Sequence, residues 1–127
     1  MEDGIVITDH HDGHGLAESI TLTCEPRNGP DVGGASHRYM ASIDGTAAAV
    51  LDVQFQKGPR SEPGSTPGVI ESVLLAIVAD RMRSFQAGPY SCRENALVLT
   101  KVEEALHWLK HRADGRAKRG VLGTTKK

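Results

Sequence analysis

The residues of this 127-residue chain with the best prospects for chemistry are Phe85, Asn95, Arg112 and Arg116. Guanidinium forks suit phosphate oxygens, since each can offer two parallel N–H donors to one anion. An aromatic ring offers a flat π face, and a carboxamide offers both a donor and an acceptor. Each also has a purely structural use, with Phe85 in a core, Asn95 on an exposed helix face and the arginines at a solvated helix end. His10, His11 and His14 could face a metal, but no spacing supplies a fourth ligand and glycines flank the segment, so no metal site is assigned. Glu103 and Glu104 beside His107 could act as an acid–base pair, yet on an amphipathic helix they read as a solvated face. No nucleophile motif, Walker loop or dinucleotide fingerprint is present, so the expectation is a non-enzymatic protein without a cofactor.

Composition bounds what can position these residues. A chain of this length makes one modest core, and with two Phe, two Tyr and one Trp that core must come from Val, Leu, Ile and Ala. Subunit contacts are an expected supplement. Cys24 and Cys92 lie far apart and match neither a metal-ligand spacing nor a disulfide framework, which makes a reducing cytoplasm the default. No apolar run is long enough to span a bilayer, and the acidic, His-rich segment from Met1 to His14 does not read as a signal peptide. The formal net charge is −1 but unevenly spread: no Lys or Arg precedes Arg27, whereas Lys110, Arg112, Arg116, Lys118, Arg119, Lys126 and Lys127 face only Asp114. Such an end can bind phosphates or lie solvated as a basic tail.

Patterning predicts an α+β chain, a small N-terminal antiparallel β-sheet followed by a C-terminal antiparallel helical hairpin. Ile20 to Cys24 and Leu51 to Phe55 alternate with the period of half-buried strands. Tyr39, Ala41 and Ile43 share one parity and lead into Asp44-Gly45, a pair favoured in tight hairpins. Gly4 to Thr8 reads as an edge strand and Pro26 to Ala35 as a loop. The Pro, Gly and Ser of 59–68 read as a linker between a β-rich part, 1–58, and a helical part, 69–127, the whole forming one domain. Val69, Ile70, Val73, Leu74, Ile77, Val78, Met82 and Phe85 recur at helical spacing before Gly88-Pro89. A second helix should begin at Ser91, whose side chain would cap the first turn while Glu94 reaches back to its amide. Its stripe, Leu99, Val102, Leu106 and Leu109 with Val98, Ala105 and Trp108, carries it to about Lys110. The short connection from Ala87 to Tyr90 makes the two helices antiparallel neighbours.

The segment from Cys92-Arg93-Glu94-Asn95-Ala96-Leu97 through Leu99 to Leu106 and Trp108-Leu109 resembles a phage family, the first described of the Thoeris anti-defence sponges. The likeness continues through His111 to Arg116, to Arg119-Gly120-Val121 and Gly123-Thr124, and back to Phe85-Gln86-Ala87-Gly88-Pro89. The last third of the chain carries it, and the β-rich half matches in general layout. The resemblance implies a protein of the infected host's cytoplasm that binds glyco-cyclic ADP-ribose, a signal made from NAD by TIR-domain enzymes, without degrading it. It implies a helical hairpin shared with anti-CBASS sponges, assembly into homo-dimers or hexamers, cyclic oligonucleotides at a separate site in some members, and Phe85, Asn95, Arg112 and Arg116 as ligand contacts. Gly115 and Leu122 depart from the family pattern, and Gly115 weakens helix continuation by about 1 kcal/mol relative to Ala.

On one straight helix Asn95 and Arg112 stand about 25 Å apart, longer than such a ligand. Phe85 and Asn95 of one subunit should therefore meet Arg112 and Arg116 of another, with two pockets per dimer. The alternative is a small nucleic-acid-binding protein using the basic C-terminal end, which the near-neutral net charge disfavours.

Overall fold

The computed structural model describes residues 4–27 and 33–126. The fold is α+β: strands β1 (Ile5–Ile7), β2 (Ile20–Cys24), β3 (Arg38–Ile43) and β4 (Ala49–Gln54), then helices α1 (Glu71–Gln86) and α2 (Arg93–Lys118). The chain separates into two compact units, Met1–Val69 and Ile70–Lys127. Part of the loop expected at 26–35 falls on 28–32, outside the described residues.

In the first unit the strands form an antiparallel meander in the order β1-β2-β3-β4. Register aligns Ile5, Cys24, Tyr39 and Val53 across the sheet, and beside them Ile7, Leu22, Ala41 and Leu51. Alternation thus gathers the apolar set on one face, where Cys24, Ala41 and Val53 are buried and Tyr39 meets Phe55 edge to face at 5.5 Å. The β3–β4 connection is longer than a two-residue hairpin, because Ser42 pairs with Ala49. A two-residue type I′ turn needs positive φ at both central residues, and here only Gly45 has it, at 84°. Asp44 is held instead by β2 and its approach, its N–H donating to Ser19 O at 2.8 Å and its Oδ1 accepting from Thr21 Oγ1 at 3.2 Å.

Glu18 organises the loop before β2. Its carboxylate accepts from the main-chain N–H groups of Asp12, Gly13 and Gly15 at 3.1, 2.7 and 3.2 Å. These bonds, that from Asp12 first, hold its carboxyl below the ordinary value. A depressed carboxylate contributes stability that is fully present above the unfolded-state value and is lost as pH falls through the folded-state value. Glu18→Gln should therefore lower stability at neutral pH and flatten its decline on the acid side of the carboxylate range, as measured by denaturant unfolding at stepped pH.

The Pro- and Gly-rich stretch is tied to the end of the sheet. Lys57 and Thr66 exchange main-chain bonds of 2.9 and 2.8 Å, Gln56 N–H donates to Val69 O at 2.9 Å, and Val69 N–H to Gln54 O at 2.9 Å. Val69 is thereby a bridge partner of Phe55, which is why α1 begins at Glu71 and not at Val69. The main chain at Gly68 passes so close to Gln54 and Phe55 that a Cβ there would overlap the Gln54 carbonyl and the Phe55 main chain.

In the second unit α1 and α2 pack as a hairpin, braced by Arg83 Nη2 on Glu103 Oε2 at 3.1 Å. Ala79 is fully buried, and Leu75, Met82 and Gln86, at helical spacing from it, are half-buried. Much of the apolar stripe expected on α1 lies elsewhere: Ile70, Val73, Ile77 and Val78 are exposed. The apolar positions span most of the helix circumference, so periodicity alone did not select the packed face. On α2, Leu99, Val102, Ala105, Leu106 and Leu109 are half-buried, whereas Val98 and Trp108 are exposed.

Helix α2 starts one residue later than a Ser91 cap requires and ends well beyond Lys110. Its N-cap is Cys92, whose Sγ accepts from Asn95 N–H at 3.4 Å. The Cys92 amide is taken by Gln86 Oε1 at 3.0 Å, the part foreseen for Glu94 at Ser91, and Ser91 N–H donates to Gly88 O. Cys92→Ser should hold or raise the thermal midpoint, because oxygen is the better cap acceptor. Cys92→Ala should lower stability by about 1 kcal/mol in the same melts. At the other end the helix runs through Gly115 to Lys118, supported by Lys110 on Asp114 at 2.8 Å and by basic residues in the last turn.

Candidate functional site

The second unit brings Phe85 and Asn95 together and keeps Arg112 apart from them. Phe85 lies in the last turn of α1 and Asn95 in the first turn of α2, so the connection between the helices places both at one end of the hairpin. Tyr90 joins them. Its ring meets that of Phe85 at 6.2 Å, nearly perpendicular, and its carbonyl accepts from Asn95 Nδ2 at 3.3 Å. The Arg81 guanidinium lies over the Phe85 ring, 4.9 Å from its centroid, a cation–π contact on one face of the ring. Among the described residues no group donates to the Asn95 side-chain oxygen.

Arg112 and Arg116 occupy the far end of α2, spaced by four on adjoining positions of one helix face. Their surroundings differ. Arg112 is exposed, while Arg116 is 8% exposed and donates through Nη2 to Val121 O at 3.0 Å and Thr124 O at 2.9 Å. Helix α2 has 26 residues and α1 has 16, so the last ten residues of α2, which carry both arginines, extend about 15 Å beyond what α1 can match. Asn95 and Arg112, seventeen positions apart on this continuous helix, are separated by about 25 Å along its axis.

Tyr90, Arg81 and Gln86 were not singled out by sequence reasoning. Arg81 was legible as the i, i+4 neighbour of Phe85. Tyr90 and Gln86 depend on how the turn folds, which no periodicity encodes. Of the histidines, His10 donates from Nε2 to Ile20 O at 2.7 Å and meets the His11 ring at 4.7 Å. Among the described residues no group of three or more His, Cys, Asp or Glu is arranged to hold a metal ion. Likewise no helix among them is long and apolar enough to cross a membrane.

A short antiparallel sheet followed by an uneven helical hairpin, with polar and aromatic groups at the turn and arginines at the overhanging end, defines a hairpin-domain protein. The family described as Acb2/Tad1, hairpin domain, matches residues 47–113, more than half of the chain, and the chain belongs to that family. It is similar to Thoeris anti-defense 1 of Bacillus phage SBSphiJ7, with 46% identity over 81 residues, covering 64% of this chain and 56% of the relative. The matched part thus spans a little over half the length of that curated relative.

Proposed function

We propose that this chain is a phage Thoeris anti-defence protein that captures a cyclic ADP-ribose signal, glyco-cyclic ADP-ribose, and holds it without turnover in a pocket shared by two copies. Family membership and the likeness to Thoeris anti-defense 1 support the anti-defence role. The observation that carries the shared pocket is the split of the four candidates: Phe85 and Asn95 at the turn end of the hairpin, Arg112 and Arg116 at the far end of α2. A second hairpin laid antiparallel on the first would bring the arginines of one copy to the aromatic end of its partner, twice per dimer. Ile77 at 61% and Trp108 at 58% exposure, with Ile70 and Val73, supply apolar surface that a second copy would cover.

In such a pocket Phe85 stacks the adenine on the face opposite Arg81, Asn95 pairs with a polar edge, and Arg112 clamps the pyrophosphate. Stacking and hydrogen bonding of this kind hold a ligand and break no bond, consistent with sequestration in the cytoplasm of the infected host.

The test mixes purified protein with the product pool of an activated TIR enzyme and assays cyclic ADP-ribose isomers before and after heat denaturation. Depletion followed by release of intact ligand is expected. Release of a linear product would overturn the non-enzymatic reading. Absence of depletion would overturn the ligand and turn attention to cyclic oligonucleotides and nucleic acid, of which only the latter should show a steep salt dependence.

A further inference from the structure

Arg116 has donors for a tail and donors for a phosphate, but not for both at once. A guanidinium offers two parallel donor pairs, Nε with Nη2 and Nη1 with Nη2, and both include Nη2. The chain shows the first pair at work: Arg38 meets both oxygens of Asp52 through Nε and Nη2, and Arg83 reaches Glu103 through the same two atoms. At Arg116 the two carbonyls of Val121 and Thr124 account for both Nη2 hydrogens. No complete fork remains while the tail is held.

The tail is shaped to be held there. Gly120, with φ at 70°, closes α2: its N–H donates to Ala117 O at 3.1 Å and Val121 N–H to Arg116 O at 3.0 Å, the two-bond pattern of a left-handed glycine stop. The chain then turns back, with Thr124 donating to Val121 O from its N–H at 3.1 Å and from Oγ1 at 2.6 Å. The Val121 oxygen therefore receives three donors, counting Arg116, although a carbonyl has two lone pairs. Arg116 can leave it without stranding a buried acceptor. That single exchange returns one Nη2 hydrogen and completes a fork.

We infer that Arg116 is a latch on the C-terminal tail, and that it engages a phosphate by its fork only by letting go of Val121 or Thr124, so that ligand capture and tail closure compete. Arg112, exposed one turn earlier, makes the first contact. The inference rests on the cyclic ADP-ribose reading for the ligand that opens the latch.

The experiment uses the full-length protein and purified glyco-cyclic ADP-ribose, with uptake measured by calorimetry and backbone 15N order parameters of Val121 to Thr124 measured without ligand and at saturation. Binding should be accompanied by lower order parameters in that segment. Gly123→Ala, which places a Cβ in open space but strains a residue at φ 78°, should loosen the tail beforehand and tighten binding roughly two- to tenfold, the weight of one hydrogen bond. Uptake with unchanged or higher order parameters, or with unchanged affinity in Gly123→Ala, would overturn the latch and leave the ligand reading standing. No uptake by the unmodified protein would overturn both.

Discussion

Arg112→Ala is expected to weaken capture of glyco-cyclic ADP-ribose by roughly ten- to a hundredfold, the loss of one charge-assisted hydrogen-bonding group. Arg112 is exposed near the overhanging end of α2, so its removal should leave the thermal midpoint of the protein nearly unchanged. Titration calorimetry beside a melt separates the two quantities. Arg112→Lys should recover part of the affinity at most, since an ammonium keeps the charge and loses the fork. Affinity equal to that of the unmodified protein in Arg112→Ala would remove the arginine clamp from the account.

The largest effect on stability is expected at Gly68, from which no side chain can project without displacing main chain. In Gly68→Ala the added methyl meets the Gln54 carbonyl and the Phe55 main chain, neither of which can rotate away as a flexible side chain would. The bonds that hold the 57–69 segment to the sheet end, Val69 to Gln54 and Gln56 to Val69, would have to shift. Overpacking of this kind costs typically about 1–3 kcal/mol, read as a lower denaturant midpoint. Gly115→Ala is the control of opposite sign: a Cβ there meets nothing within 4 Å, and alanine in a helix interior should stabilise by about 1 kcal/mol.

The elements were legible where one short-range pattern decided them. Ile20–Cys24 is a strand with the bounds its alternation implied, and the helical hairpin followed from two apolar stripes with a Gly-Pro break between them. What failed was whatever depended on a partner outside the element's own periodic pattern. Cys92 caps α2 because Gln86, at the end of the other helix, takes its amide; Ser91 carries the better capping oxygen but lies one residue too early. Val69 fits the helical stripe, yet its main-chain bonds to Gln54 and Gln56 keep it extended. On α1 the stripe was wide enough to hide which side faces α2, and the buried position proved to be Ala79, whose small side chain carries little hydrophobic signal.

The candidate site shows the same division. Phe85, Asn95, Arg112 and Arg116 were named as candidates from the sequence, and the separation of Asn95 from Arg112 along α2 followed from helix rise alone. Tyr90 beside Phe85 and Asn95 was not legible, because it belongs to the turn. The tail contacts of Arg116 were not legible either: a side chain bonding carbonyls five and eight residues onward has no periodic signature.

Subunit complementation tests the shared pocket most directly. Asn95→Ala and Arg112→Ala proteins are mixed, unfolded and refolded together, and ligand depletion is measured at a concentration where neither weakened variant alone depletes glyco-cyclic ADP-ribose. In a mixed antiparallel dimer one pocket carries both defects and the other carries none. Random pairing should therefore restore about a quarter of the unmodified protein's capacity, one intact site in half of the dimers. Capture by the mixture no greater than by either variant alone would contradict the account and place all the contacts within one chain.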